Sequence, residues 1–247
     1  MTISYCITVC NELLEVTKLI NFLQLHINPD DEIVVQYDET AVTSEVLAYL
    51  NIADKMEARL KVVGFPLNKD FASFKNNLTK HSTKDYILSI DADEIPHENL
   101  VELLGQVLDT NPVDLVFVPR INTVDGITEH HVKKYGWKIT KIESDTLIHE
   151  KVIDIDSAEY QLLKKYDLII EETHSGLVKY YRPVNQFPDY QTRLYRRTDD
   201  IEWQNKVHER ITGYNNFSNF PAKEEWCIYH HKSIDRQIVQ NNFYETI

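Results

Sequence analysis

Glycine is scarce, six residues in 247. That is too few for the glycine-rich loops that wrap phosphates, and neither GxxxxGKS/T nor GxGxxG occurs. Cysteine is scarcer: Cys6, Cys10 and Cys227 are an odd, scattered set, which argues against a disulfide framework. Cys6 and Cys10 fall on one face of a strand, where small buried hydrophobes are expected in preference to metal ligands. Basic residues are outnumbered, 26 Lys and Arg against 39 Asp and Glu, for a formal charge of −13. Such a surface disfavours generic binding to nucleic acid or anionic membrane, though not to a divalent cation. No apolar run reaches the length of a membrane span. The opening MTISYCITVCNELL lacks a basic n-region and a small-residue cleavage site, so it reads as a mature strand and not a signal peptide. A soluble cytoplasmic protein is expected, with peripheral membrane association left open.

What the chain does have is regular alternation. Runs rich in β-branched residues at 3–9, 32–38, 60–67, 85–90 and 113–121 predict strands. Between them, 12–26, 43–55, 71–82 and 98–109 carry helical periodicity, with Leu13, Val16, Ile20 and Leu23 on one stripe and Val46, Leu47 and Leu50 on another. Strand and helix in alternation predict an α/β fold, a mostly parallel sheet with helices on both faces. In such sheets the ligand site lies beyond the carboxyl ends of the strands.

Acidic residues gather at that edge. Asn11-Glu12 follows the first strand, Asp38-Glu39 ends the second, and Asp91, Asp93 and Glu94 end the fourth in YILSIDADEIP. One such cluster is ordinary helix capping or loop solvation, and Glu12 alone is explained by the helix dipole. Three at one edge, one of them Asp-x-Asp, call for a positive partner. A hard divalent cation with oxygen ligands, Mn2+ or Mg2+, is the expectation, bridging the carboxylates to a diphosphate.

ITVCNE, VVQYDE and FASFKNNLTKHSTKDYILSIDADE together resemble the donor half of an inverting family 2 glycosyltransferase of the GT-A fold, over roughly residues 3–120. The resemblance implies a nucleoside diphosphate sugar, expected to be a UDP-sugar, as donor. It implies that Glu12 lies near the nucleoside, that Asp38 meets the base, and that Lys75-Asn76, standing where the family carries an Arg-Asn pair, belongs to the nucleotide-binding set with them and Asp91. Asp91 and Asp93 match the metal motif, Asp93 as direct ligand and Asp91 through water or on the ribose. Residues 1–121 are then the donor half. Residues 122–247 are the acceptor-side half of the same globular unit, with an acidic insertion at about 140–176 and one helix near 157–166. That insertion reads as a lid, an acceptor platform or a subunit contact, with its charges a solvated face.

Later segments, QTRLYR (191–196) and VHE (207–209), are similar to those of lipopolysaccharide core glucosyltransferase-like and phage-encoded members of the family. His208 is the candidate third metal ligand, with His230 as competitor. Inverting transfer needs a general base for the acceptor hydroxyl. Asp189 is the first choice and Glu209 the alternative, because Glu209 would point away from a metal-bound His208 on an extended segment. Arg193, Arg196 and Arg197 are either diphosphate contacts or ordinary surface arginines. Two other classes remain open at this level: an Asp-x-Asp metal-dependent phosphatase, and a non-catalytic sugar-nucleotide or glycan-binding module. The acceptor, a glycan or other hydroxyl compound, is not specified by the sequence.

Overall fold

A computed structural model describes residues 1–244. The first half runs β1 Ile3–Val9, α1 Leu13–His26, β2 Glu32–Asp38, α2 Ser44–Met56, β3 Leu60–Phe65, α3 Phe71–His81, β4 Tyr86–Asp91, β5 Glu94–Pro96, α4 Glu98–Thr110 and β6 Leu115–Asp125. The second runs α5 Glu129–Tyr135, β7 Ile139–Thr140, β8 Ile148–Val152, α6 Ala158–Lys165, β9 Ile169–Glu172, β10 Leu177–Tyr181, β11 Val184–Arg196, β12 Glu202–Gln204, β13 Arg210–Thr212, β14 Phe217–Asn219, β15 Ile228–Ser233 and α7 Ile234–Tyr244. Among the described residues no helix is long and apolar enough to cross a membrane.

The expected α/β architecture is present. β3, β2, β1 and β4 are neighbours in that order and all parallel, and β11 joins β4 antiparallel, Leu194 opposite Leu88. β1 and β4 are buried on both faces, which is why their sequences are continuous apolar runs and do not alternate. On α1 the buried stripe is Val16, Leu19, Ile20 and Leu23. Leu13 is 37% exposed, contrary to the expected stripe, because it sits in the first turn as the chain leaves the sheet edge. Thr43 caps α2 and Asp70 caps α3, each accepting from a backbone amide in the first turn.

The chain divides into two compact units, and the division differs from the one read off the sequence. Unit one is Met1–Pro119 with Tyr190–Ile228; unit two is Arg120–Asp189 with the described residues from Tyr229 on. β6, β11 and β15 each pass from one unit into the other. The return of 190–228 to the N-terminal unit is made by strand pairing across more than a hundred residues of chain, which no local pattern announces. Unit two holds the acidic insertion, and that segment is folded: β8, β10 and β9 form a three-stranded sheet. Its core includes Ile153, Tyr160, Leu162, Leu163, Leu168 and Val178.

Candidate active site

Because β1, β2 and β4 are parallel and in register, their carboxyl ends fall at one edge of unit one. Thr8 lies opposite Asp91, and Val9 opposite Tyr37, one residue before Asp38. Glu12 folds back on the loop after β1, its Oε2 accepting from the amides of Cys10 (2.9 Å) and Asn11 (3.0 Å). Asp38 is 6% exposed. Its Oδ1 accepts from the Thr40 amide and hydroxyl at 3.0 and 2.8 Å and from the Leu67 amide at 3.1 Å, tying the end of β2 to the loop after β3. Cys10, expected to be buried like Cys6, is half-buried at this edge. Burial first, then the Glu12 and Asp38 carboxylates, push its thiol pKa up. Sequence reasoning passed over Cys10 here, since a lone thiol carries no pattern. A Cβ at Gly64 on β3 would stand 2.6 Å from Glu39 Oε1 and 2.7 Å from the Tyr37 hydroxyl, so a side chain there would push those side-chain ends aside.

The knot of acids after β4 is held by an arginine. Asp91 Oδ1 accepts from Thr8 Oγ1 (3.1 Å) and Oδ2 from Arg193 Nη2 (2.7 Å). The same Nη2 reaches Glu94 Oε1 at 2.7 Å, and Glu94 Oε2 accepts from the Asp91 amide at 3.0 Å. Glu94 is fully buried and Arg193 is 5% exposed. Burial alone would lower the pKa of the guanidinium. Asp91, Glu94 and, beyond them, Glu209 outweigh it and hold Arg193 protonated above its ordinary range. Arg193 is therefore neither a surface arginine nor presented for a diphosphate. Arg196 and Arg197 lie at the opposite, amino end of β4, on the Tyr86 hydroxyl and on the carbonyls of Lys84 and Thr83.

Helix α3 brings the V-H-E segment to unit one. Lys75 is buried, its Nζ 2.5 Å from Glu209 Oε1 and 4.4 Å from the centre of the Trp203 ring. Asn76 braces β12: its Nδ2 donates to the Trp203 carbonyl and its Oδ1 accepts from the Trp203 amide, both at 2.8 Å. His208 is exposed, with a left-handed φ of 54°, on the turn between β12 and β13. Asp93 is half-buried in the turn between β4 and β5. Asp91, Asp93 and His208 are not drawn together: among the described residues no three His, Cys, Asp or Glu side chains form a group that could hold a metal ion.

In unit two, Asp189 Oδ2 accepts from Arg120 Nε (3.0 Å) and Nη2 (2.8 Å) and from Asn122 Nδ2 (2.8 Å). Asn122 Oδ1 is 2.9 Å from Nδ1 of the buried His230. Successive residues of a strand face opposite ways, and β15 uses both: His231 turns to Thr123 Oγ1 at 2.8 Å and to Asp125 Oδ2 at 3.0 Å. Arg182 joins this second cluster, bonding Asp125 through Nη1 and His149 Nδ1 through Nη2, each at 3.0 Å. Burial would raise Asp125, but the bond from His231 and the charges of His231 and Arg182 hold its carboxyl below the ordinary range. Burial, then Arg182, lowers His149. The unfolded chain then takes a proton at His149 more readily than the fold does. Stability should therefore fall as pH drops through the ordinary histidine value of about 6.5. Thermal unfolding between pH 7.5 and 5.5 checks this, and His149→Gln should flatten the slope.

The mainly parallel sheet flanked by helices matches the GT-A type of α/β fold. The sequence profile of Glycosyl transferase family 2 matches residues 4–167, more than half of the chain. The chain belongs to that family. No curated protein is recognisably similar in sequence. Among solved structures, S. aureus TarS residues 1–349 aligns with TM-score 0.56 at 14% identity, over 94% of this chain and 60% of that one. Crystals of the same fragment with UDP-GlcNAc and with UDP align at 0.57 and 0.56, each at 15% identity and over 94% of this chain, covering 59% and 60% of theirs. The chain spans about three-fifths of those fragments, and at such identity the likeness carries the fold alone.

Proposed function

We propose that the protein transfers a sugar, with inversion, from a nucleoside diphosphate sugar to an acceptor hydroxyl, and that the donor is a UDP-sugar. The observation that carries the proposal is the placement of Glu12, Asp38 and the Asp91–Glu94 turn at the carboxyl edge of β1, β2 and β4. That is where an open α/β sheet binds its ligand. The family, and the UDP and UDP-GlcNAc complexes of a chain with this fold, support the choice of donor.

Glu12 and Asp38 are assigned to the nucleoside, with Asp38 on the base. Lys75 is assigned to ordering the V-H-E segment through Glu209, and Asn76 to ordering the Trp203 backbone. A divalent cation, Mn2+ or Mg2+, fits in part. The residues present form no cage for a free ion, but a cation arriving on a diphosphate needs only one or two carboxylates. Asp93 is assigned that contact, with exposed His208 able to join it. When bound, the ion supplies positive charge to the leaving diphosphate.

The acceptor oxygen attacks the anomeric carbon opposite the leaving group. The carbon–acceptor bond forms, the bond to the diphosphate oxygen breaks, and a carboxylate takes the hydroxyl proton. Asp189 is assigned as that base, with Glu209 the alternative. Three donors, Arg120 Nε and Nη2 and Asn122 Nδ2, converge on Asp189 Oδ2 and fix the orientation of its carboxylate. Glu209 is engaged by Lys75.

Thermal shift with UDP and UDP-sugars, with and without Mn2+, tests the reading. A ligand at a hundred times its Kd stabilises by about 2.7 kcal/mol. Asp38→Asn keeps the loop acceptor Oδ1 while removing the charge. It should fold and bind UDP about tenfold more weakly, the size of one charge-assisted hydrogen bond. Unaltered UDP affinity in the folded variant argues against the assignment of Asp38.

A further inference from the structure

The sheet edge carries a cation of its own. One nitrogen of Arg193 serves both Asp91 and Glu94, and Glu94 closes the loop onto the Asp91 amide. The turn from Asp91 to Glu94 is thereby braced from inside the fold. Both carboxylate oxygens of Asp91 have donors, Thr8 on one and Arg193 on the other. Arg193 Nε is buried without a partner among the described residues. The guanidinium is thus placed for the two acids at the expense of its own donors, as befits a fixed counter-ion and not a group held ready for substrate.

We propose that Arg193 stands in for a cation at Asp91 and Glu94, so that a divalent ion arriving with the nucleotide relies on Asp93 and not on Asp91. Arg193 is then a positioning residue: it fixes the turn that presents Asp93 and cancels charge that would otherwise attract a second ion. This rests on the donor-site reading above. It also accounts for the lack of any metal-holding group of acids among the described residues in a turn with three acids in four positions.

Mn2+ alone, without nucleotide, is the probe. Arg193→Met keeps the apolar stem and removes the charge. Leaving buried Glu94, and Asp91 beside it, without their counter-ion should lower Tm by about 5–10 °C. Saturating Mn2+ should then restore at least about half of that loss, since an ion binding only the folded state stabilises it, while moving wild-type Tm by less than about 1 °C. A variant that melts like wild type, or responds to Mn2+ no more than wild type, overturns the proposal. Should Arg193→Met fail to fold, Mn2+-supported UDP binding decides. Asp93→Asn should weaken it at least about tenfold more than Asp91→Asn, as a direct ligand outweighs an acid already neutralised. Equal losses overturn the proposal. Failure of wild type to bind UDP at all would count instead against the donor site, whatever Arg193→Met does with Mn2+.

Discussion

Asp93→Asn is expected to lower kcat/KM by about 100- to 1000-fold, the usual consequence of removing one preorganised electrostatic contact at developing charge. The chain's own geometry leads there. The Asp91–Glu94 turn that carries Asp93 is fixed by Arg193 and by the bond from the Asp91 amide to Glu94. UDP affinity in the presence of EDTA should be nearly unchanged, because the carboxylate acts on the diphosphate through the ion. A parallel loss of UDP affinity without metal would mean that Asp93 touches the nucleotide directly.

Asp189→Asn is expected to reduce turnover by about 100- to 10,000-fold with donor affinity intact, because proton removal matters only on the way to the transition state. The amide oxygen can still accept from Arg120 or Asn122, so folding is preserved and the loss is chemical. Glu209→Gln separates the alternatives. It breaks the charge pair with Lys75, a lysine that is 7% exposed, and should show first as lost stability. If instead Glu209→Gln abolishes turnover while Asp189→Asn transfers normally, Glu209 is the base.

The sheet was legible because its central strands are buried on both faces. ISYCITV and YILSI are largely apolar runs bounded by polar turns, and the parallel order follows from the helices of 11 to 14 residues that separate successive strands. The edge carrying Glu12, Asp38, Asp91 and Asp93 followed from strand direction alone. Arg193 was not legible. Arginine is seldom buried, and its partners lie 99 and 102 residues earlier in the chain. The small sheet of unit two also escaped notice. IHEKV and IIEE are short and half polar, with strand pairing, not composition, holding them. His230 and His231 stood as neighbours in the sequence; only the alternation of β15 sends one to Asn122 and the other to Asp125.

The central claim, that the acidic carboxyl edge of β1, β2 and β4 is a nucleotide-sugar site, is tested most directly by a crystal structure with UDP and Mn2+. The expected result is UDP against Glu12 and Asp38, with the cation on Asp93 and Arg193 still bonded to Asp91 and Glu94. Nucleotide bound away from this edge, or no binding of UDP at saturating concentration, would contradict it.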